Sequence, residues 1–158
     1  MNKIWGEFVG GRAAWGLLAM RLVFGGALVL HGMQKIGAPS SWMNGFGPSA
    51  PPAPIQFLAF LAEFGGGLAL IVGALTPLAA LGVIGVMSVA TAMVHGAHPW
   101  VAASGPSKES ALGYLAFGIL MLLAGPGRLS LDALLFGRKR AASPDEARLP
   151  SPTVGVRS

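Results

Sequence analysis

The chain has 158 residues, 53% of them hydrophobic and only 11% charged, with a mean hydropathy of +0.64. A soluble domain carries about 25% charged residues, so the deficit argues against a soluble fold and for residence in a membrane. There is no cysteine, which removes disulfide exchange, thiolate metal sites, iron–sulfur clusters and covalently attached haem from the chain's own chemistry. The net charge of +5 sits largely in the C-terminal tail and reads as a topology signal rather than as nucleic-acid binding.

Residues 1–13 carry Lys3, Glu7 and Arg12 among Ile4, Trp5, Phe8 and Val9, a pattern that suits an N-terminal interfacial segment. A cleaved signal peptide is the rival reading; the length of the following apolar run, and Arg21 inside it, weigh against it. The first predicted span covers residues 14–36, roughly 34 Å of helix. At about 100° per residue, Arg21, Gly25, Leu28, Gly32 and Lys35 share one face, with His31 at its edge. Ionisable groups cost about 2.5–3.5 kcal/mol each at the centre of a membrane helix, so this face is expected to look into a helix bundle. Its glycines would let another backbone approach closely.

Residues 37–54 hold five prolines together with Trp42, Met43 and Phe46, and no charge. They predict an aromatic-bearing loop at the membrane interface, placed to act as a lid. A second span, residues 55–75, is interrupted by one charge, Glu63, on the same face as Gly66, Gly67, Leu70 and Gly73. Thr76-Pro77 makes a tight turn into a third span ending near Ala97, along which Ser88, Thr91, His95 and His98 form a polar stripe. A fourth span starting near Ser107 would be about 27 Å long, with Lys108 and Glu109 in its first turn. Gly125-Pro126-Gly127 ends it. A short apolar helix over residues 129–136 follows, with Ser130 as N-cap and Asp132 in the first turn. The expected organisation is an all-α, integral membrane four-helix bundle over residues 14–136, with the last short helix interfacial. A basic, disordered cytoplasmic tail, 137–158, completes it. Both long connections lack Lys and Arg, apart from Lys35 and Lys108 at their edges, so the positive-inside rule puts both termini in the cytoplasm.

Several of these residues resemble the DoxX family of small four-helix membrane proteins. Arg21-Leu22, Gly25, His31-Gly32 and Lys35 are similar to its first helix, and Glu63, Gly66-Gly67, Gly73 and Thr76 to its second block. Glu109, Tyr114 and the run from Gly125 to Asp132 are similar to its last. The likeness runs from Leu17 to Leu135. It implies a multi-pass protein of the bacterial inner membrane, described as an oxidoreductase or an oxidoreductase subunit. The related thiosulfate:quinone oxidoreductase small subunits imply a link to quinone, and other relatives are tied to complexes that respond to thiol oxidation. Without cysteine, thiol chemistry here would depend on a partner or a substrate.

Counting about 1.5 Å per residue from the outer face places His31 roughly 8 Å deep and Glu63 roughly 12 Å deep. Glu63, far from either end of its span, must be protonated or paired. Glu63 and His31 are therefore the expected catalytic pair, with His31 the nearest neighbour by depth. Lys35, His95 and Glu109 complete the expected outer-half pocket for a quinone or another small amphipathic molecule. Arg21 and Asp132 lie deeper, at similar levels, and are expected to form a structural ion pair. Most of these residues also have ordinary roles: interfacial anchoring for Lys35 and His98, helix capping for Glu109 and Asp132, snorkelling for Arg21. His31 and His95 as haem ligands, or the same pair with Glu63 on zinc, rest on too few histidines to be preferred, and no metal site is expected.

Three functions compete. The first is a redox-associated protein acting on or near quinone, because histidine and carboxylate can supply hydrogen bonds and a proton route. The second is binding or transport of a small metabolite or lipid at the same cluster. The third is a non-catalytic assembly subunit that holds a soluble or membrane oxidoreductase partner at the bilayer.

Overall fold

The computed structural model describes residues 8–137, and the expected segment before residue 8 and the tail beyond 137 lie outside them. The described chain is all-helical. Helix α1 is Gly11–Met33, α2 is Ala53–Val72, α3 is Thr76–Val94, α4 is Glu109–Ala124 and α5 is Leu131–Phe136. The first three are long and apolar enough to cross a membrane. Helix α4, with 16 residues, is about 24 Å long, somewhat short of a full crossing. It begins at Glu109 rather than near Ser107, and α1 begins at Gly11, three residues before the expected start of the first span.

The surface is that of a membrane protein. Leu22, Val23, Leu30, Val72, Leu78, Leu81 and Leu123 all point outward and are exposed. An apolar belt this extensive is matched to lipid, not to water. Inside, Leu17, Leu28, Leu70, Ala80, Val83, Phe117 and Met121 form the core. Helix α1 packs mainly on α2, and α3 on α4, with α2 also against α3. Small residues set the spacing. A Cβ on Gly67 would lie 2.9 Å from the Gly25 carbonyl oxygen, and one on Gly118 2.9 Å from Ile84 Cγ1. The polar face read from the sequence is buried as the period requires: Arg21, Gly25, Leu28 and Gly32 are all enclosed.

Each of the three long helices contains one π-helical turn: Arg21–Gly25, Leu61–Gly65 and Ala90–Val94. Such turns accommodate one extra residue and recur at functional positions. Here two of them carry the buried ionisable residues Arg21 and Glu63. The third ends α3 at Val94, three residues before the expected end. His95 is thereby outside the helix and the polar stripe turns back on itself, the His98 amide donating to the His95 carbonyl (2.9 Å).

Candidate functional site

The four-helix core has a polar cluster at each end. At the end near residues 71–76, Gly73 adopts φ +69° and closes α2, a conformation that glycine takes without strain. A side chain there would collide with Ser130 Cβ (2.5 Å) and press on Arg21 Cζ (3.1 Å). Arg21 fills the space instead. Its guanidinium donates to the carbonyls of Pro126 (2.5 Å), Leu129 (2.8 Å) and Ile71 (3.1 Å), fastening the Gly125–Ser130 turn to the bundle. Asp132 accepts from the amides of Leu75 and Thr76, both at 2.9 Å, so it caps α3 from a distant part of the chain. Its own amide donates to Gly73 O (2.8 Å).

Arg21 and Asp132 therefore share a cluster but form no ion pair among the described residues, contrary to the expectation from depth. Both are about 1% exposed. The physical reason is that the helix ends crowded there leave carbonyls and amides without helical partners, and these claim the charged groups first. Ser130 caps α5 as expected, accepting from the Ala133 amide (3.1 Å).

At the opposite end, Lys35 donates to Glu63 in a close ion pair, their side chains 12% and 9% exposed. Lys35 belongs to the turns after α1, not to the helix. It reaches Glu63 because α1 and α2 are offset. A Cβ on Gly32 would sit 2.6 Å from Phe64 Cβ, so the last turn of α1 is level with Glu63. Helix α2 continues ten residues beyond that level, back to Ala53. The loop between the helices supplies the missing wall. Trp42 lies over Lys35, with the ammonium 4.3 Å from its ring centre, a cation–π contact that also covers the ion pair.

Gln56 holds that loop in place. It is 2% exposed; its Oε1 accepts from the Met43 amide (2.8 Å), and its Nε2 donates to Pro51 O (2.8 Å) and Asn44 Oδ1 (3.1 Å). Its carbonyl also accepts from Trp42 Nε1 (3.3 Å). Sequence reasoning passed over Gln56, yet a signal existed: it lies seven residues before Glu63, two turns away on the same face. The loop itself contains a 3-10 segment, Asn44–Ser49, where an irregular connection was expected.

His31, expected beside Glu63, is exposed on the flank of α1 and meets the edge of the Tyr114 ring at 5.7 Å. The face of α1 turned to α2 is occupied by Gly32, whose close contact with Phe64 leaves no room for the imidazole. Tyr114 also meets Phe24 edge-on (5.7 Å). His95 faces His98, with Nδ1 atoms 3.3 Å apart, and Glu109 is exposed in the first turn of α4. The structure thus joins Lys35 to Glu63, with Trp42 and Gln56 above, and leaves His31, His95 and Glu109 apart from them. Among the described residues no three His, Asp or Glu side chains converge as a metal site.

The arrangement offers an ammonium donor and a carboxylate in a nearly closed, apolar surrounding. Their charges are neutralised by each other, and either could instead engage a polar group that enters. The family model DoxX matches residues 16–96, which include Arg21, His31, Lys35 and Glu63. No curated protein and no solved structure matches the chain.

Proposed function

The chain belongs to the DoxX family of multi-pass membrane proteins, and on that footing we propose that it is a component of a membrane oxidoreductase that binds a quinone beside Lys35 and Glu63. The observation that carries the reading is the buried Lys35–Glu63 pair under a loop held by Gln56. Quinone, as substrate, supplies the two-electron chemistry when bound, with the electrons coming from a partner oxidoreductase. The chain's own residues do the rest. The Lys35 ammonium donates a hydrogen bond to a carbonyl oxygen, and Glu63, released from Lys35, holds or passes a proton. His31 packs against the Tyr114 ring at the flank of the bundle (ring centres 5.7 Å apart), and in this reading the pair carries the proton outward. Displacement of Trp42 opens the site, and its indole then offers a face to the quinone ring. The reading places the protein in the bacterial inner membrane, with both termini cytoplasmic and the Trp42 loop on the outer side.

The test is binding of a short-chain benzoquinone to the purified full chain, followed by tryptophan quenching. Saturable binding is expected, weakened at least about tenfold in Glu63→Gln, a variant that keeps shape and hydrogen bonding but exchanges no proton. In membranes that also hold the partner oxidoreductase as electron donor, His31→Gln should leave binding intact and slow quinone-linked proton uptake. Wild-type binding and proton uptake in Glu63→Gln would falsify the proton role. Saturable binding of non-quinone amphiphiles with equal strength would favour a binding or transport protein instead.

A further inference from the structure

We propose that the end of the bundle near Arg12 and Arg128 is a binding site for one anionic phospholipid, distinct from the Lys35–Glu63 site. Two adjoining grooves carry the inference. One, about 440 Å³, is lined by Gly11, Arg12, Ala14, Trp15, Arg128 and Leu129. The other, about 540 Å³, runs between α1 and α4 and is walled by apolar side chains, among them Val9, Leu17, Met20, Val23, Leu120 and Ala124. They flank the same turns of α1, with Gly11, Arg12 and Trp15 lining the first and Ala13, Gly16 and Ala19 the second. They are held close at Val9, which lines the apolar groove while its carbonyl accepts from the amide of Arg128, which lines the other (2.8 Å).

The charge is unusual in its placement. Arg12 and Arg128 come from different elements, α1 and the turn before α5, and line one cleft. Neither guanidinium has a hydrogen-bond or ion-pair partner among the described residues, whereas Arg21 nearby engages three carbonyls. Arg128 is also held in position: a Cβ on Gly10 would lie 3.1 Å from its Cδ. Two arginines lining one cleft suit a phosphate, which accepts bidentate guanidinium bonds. The groove that continues from them has the apolar walls an acyl chain needs. Trp15, 66% exposed beside Arg12, suits the headgroup level where indoles reside. A free phosphate would use the cleft and leave the groove idle, so a lipid is the occupant that uses both.

The test is native mass spectrometry of the full chain in detergent, titrated with phosphatidylglycerol, with phosphatidylcholine of the same acyl chains, and with inorganic phosphate. Phosphatidylglycerol should bind in preference to phosphatidylcholine, and Arg12→Gln or Arg128→Gln should each weaken it by about fivefold, the double variant by about 25-fold. Both arginines are exposed, so circular dichroism should show unchanged folding. Gly16→Phe has open space for its side chain and should weaken both lipids by filling the groove. Equal binding of the two lipids, an unaffected double variant, or unaffected Gly16→Phe overturns the proposal. Displacement of phosphatidylglycerol by an equal concentration of phosphate overturns it too, in favour of a free-anion site.

Discussion

Asp132 illustrates how one side chain can decide the path of the chain. Leu75 has φ +47°, the left-handed region, where a residue with a Cβ costs roughly 1–2 kcal/mol. The strained turn persists because the Asp132 carboxylate takes the Leu75 and Thr76 amides together. Hydrogen bonds to a charged group contribute about 1.5–3 kcal/mol each. Asp132→Asn keeps one acceptor and should lower unfolding stability in detergent by about 1.5–3 kcal/mol, with Asp132→Ala losing more because both amides are then orphaned. Equal, near-wild-type stability of the two variants would show that the carboxylate does not cap α3. Glu63 and Lys35 present the contrasting case, in which two charges satisfy each other. Removing one leaves the other buried and uncompensated, a loss of about 3–5 kcal/mol. Glu63→Gln also leaves the Lys35 ammonium without its counter-charge but keeps an acceptor for its hydrogen bond, so it should cost less than Glu63→Leu and is the better probe of function.

At the scale of elements, the α1–α2 contact governs the site. Gly32 lies against the Phe64 backbone, with Cα and N both 2.7 Å from where a Cβ would stand. Gly32→Ala must push the helices apart, and overpacking of this kind costs about 1–3 kcal/mol. The same separation would lengthen the reach from Lys35 to Glu63. A lowered thermal midpoint in detergent is therefore expected for Gly32→Ala, while Gly26→Ala, with nothing within 4 Å of its Cβ, should unfold like wild type. Matching midpoints for the two would contradict the close packing. The loop between α1 and α2 is equally part of this unit. Helix α2 extends past the end of α1, and its exposed length is covered only because Gln56 ties residues 42–51 to it.

For the whole molecule, the apolar belt and three membrane-length helices make a multi-pass protein, and the proposed orientation adds direction to that picture. The chain has no cysteine, so single cysteines can be introduced without background. With an impermeant thiol reagent applied to intact cells, Ser41→Cys and Ser104→Cys, both at exposed positions, should label from outside. Ser143→Cys should label only after lysis. Labelling of Ser143→Cys in intact cells would reverse the orientation and with it the assignment of the Trp42 loop to the outer side.

Much of this was written in the linear pattern. Apolar runs of bilayer length specify spanning helices because a membrane leaves the backbone no other way to satisfy itself. The seven-residue recurrence of Gly25 and Gly32 between Arg21 and Lys35 specifies the buried face of α1, since helical period alone puts them together. Ser130 was legible as a cap for the same local reason. What only the tertiary structure decided is which buried charge meets which group. Depth counted along separate helices assumes that they begin at a common level, and α1 and α2 do not. That offset gives Glu63 to Lys35 and turns His31 toward Tyr114. It is set by the close approach at Gly32 and by a loop anchored through Gln56, contacts between residues distant in sequence that no local period encodes. Arg21 and Asp132 diverged for a related reason: the unpaired backbone groups they satisfy come into existence only when four segments of chain end at one place.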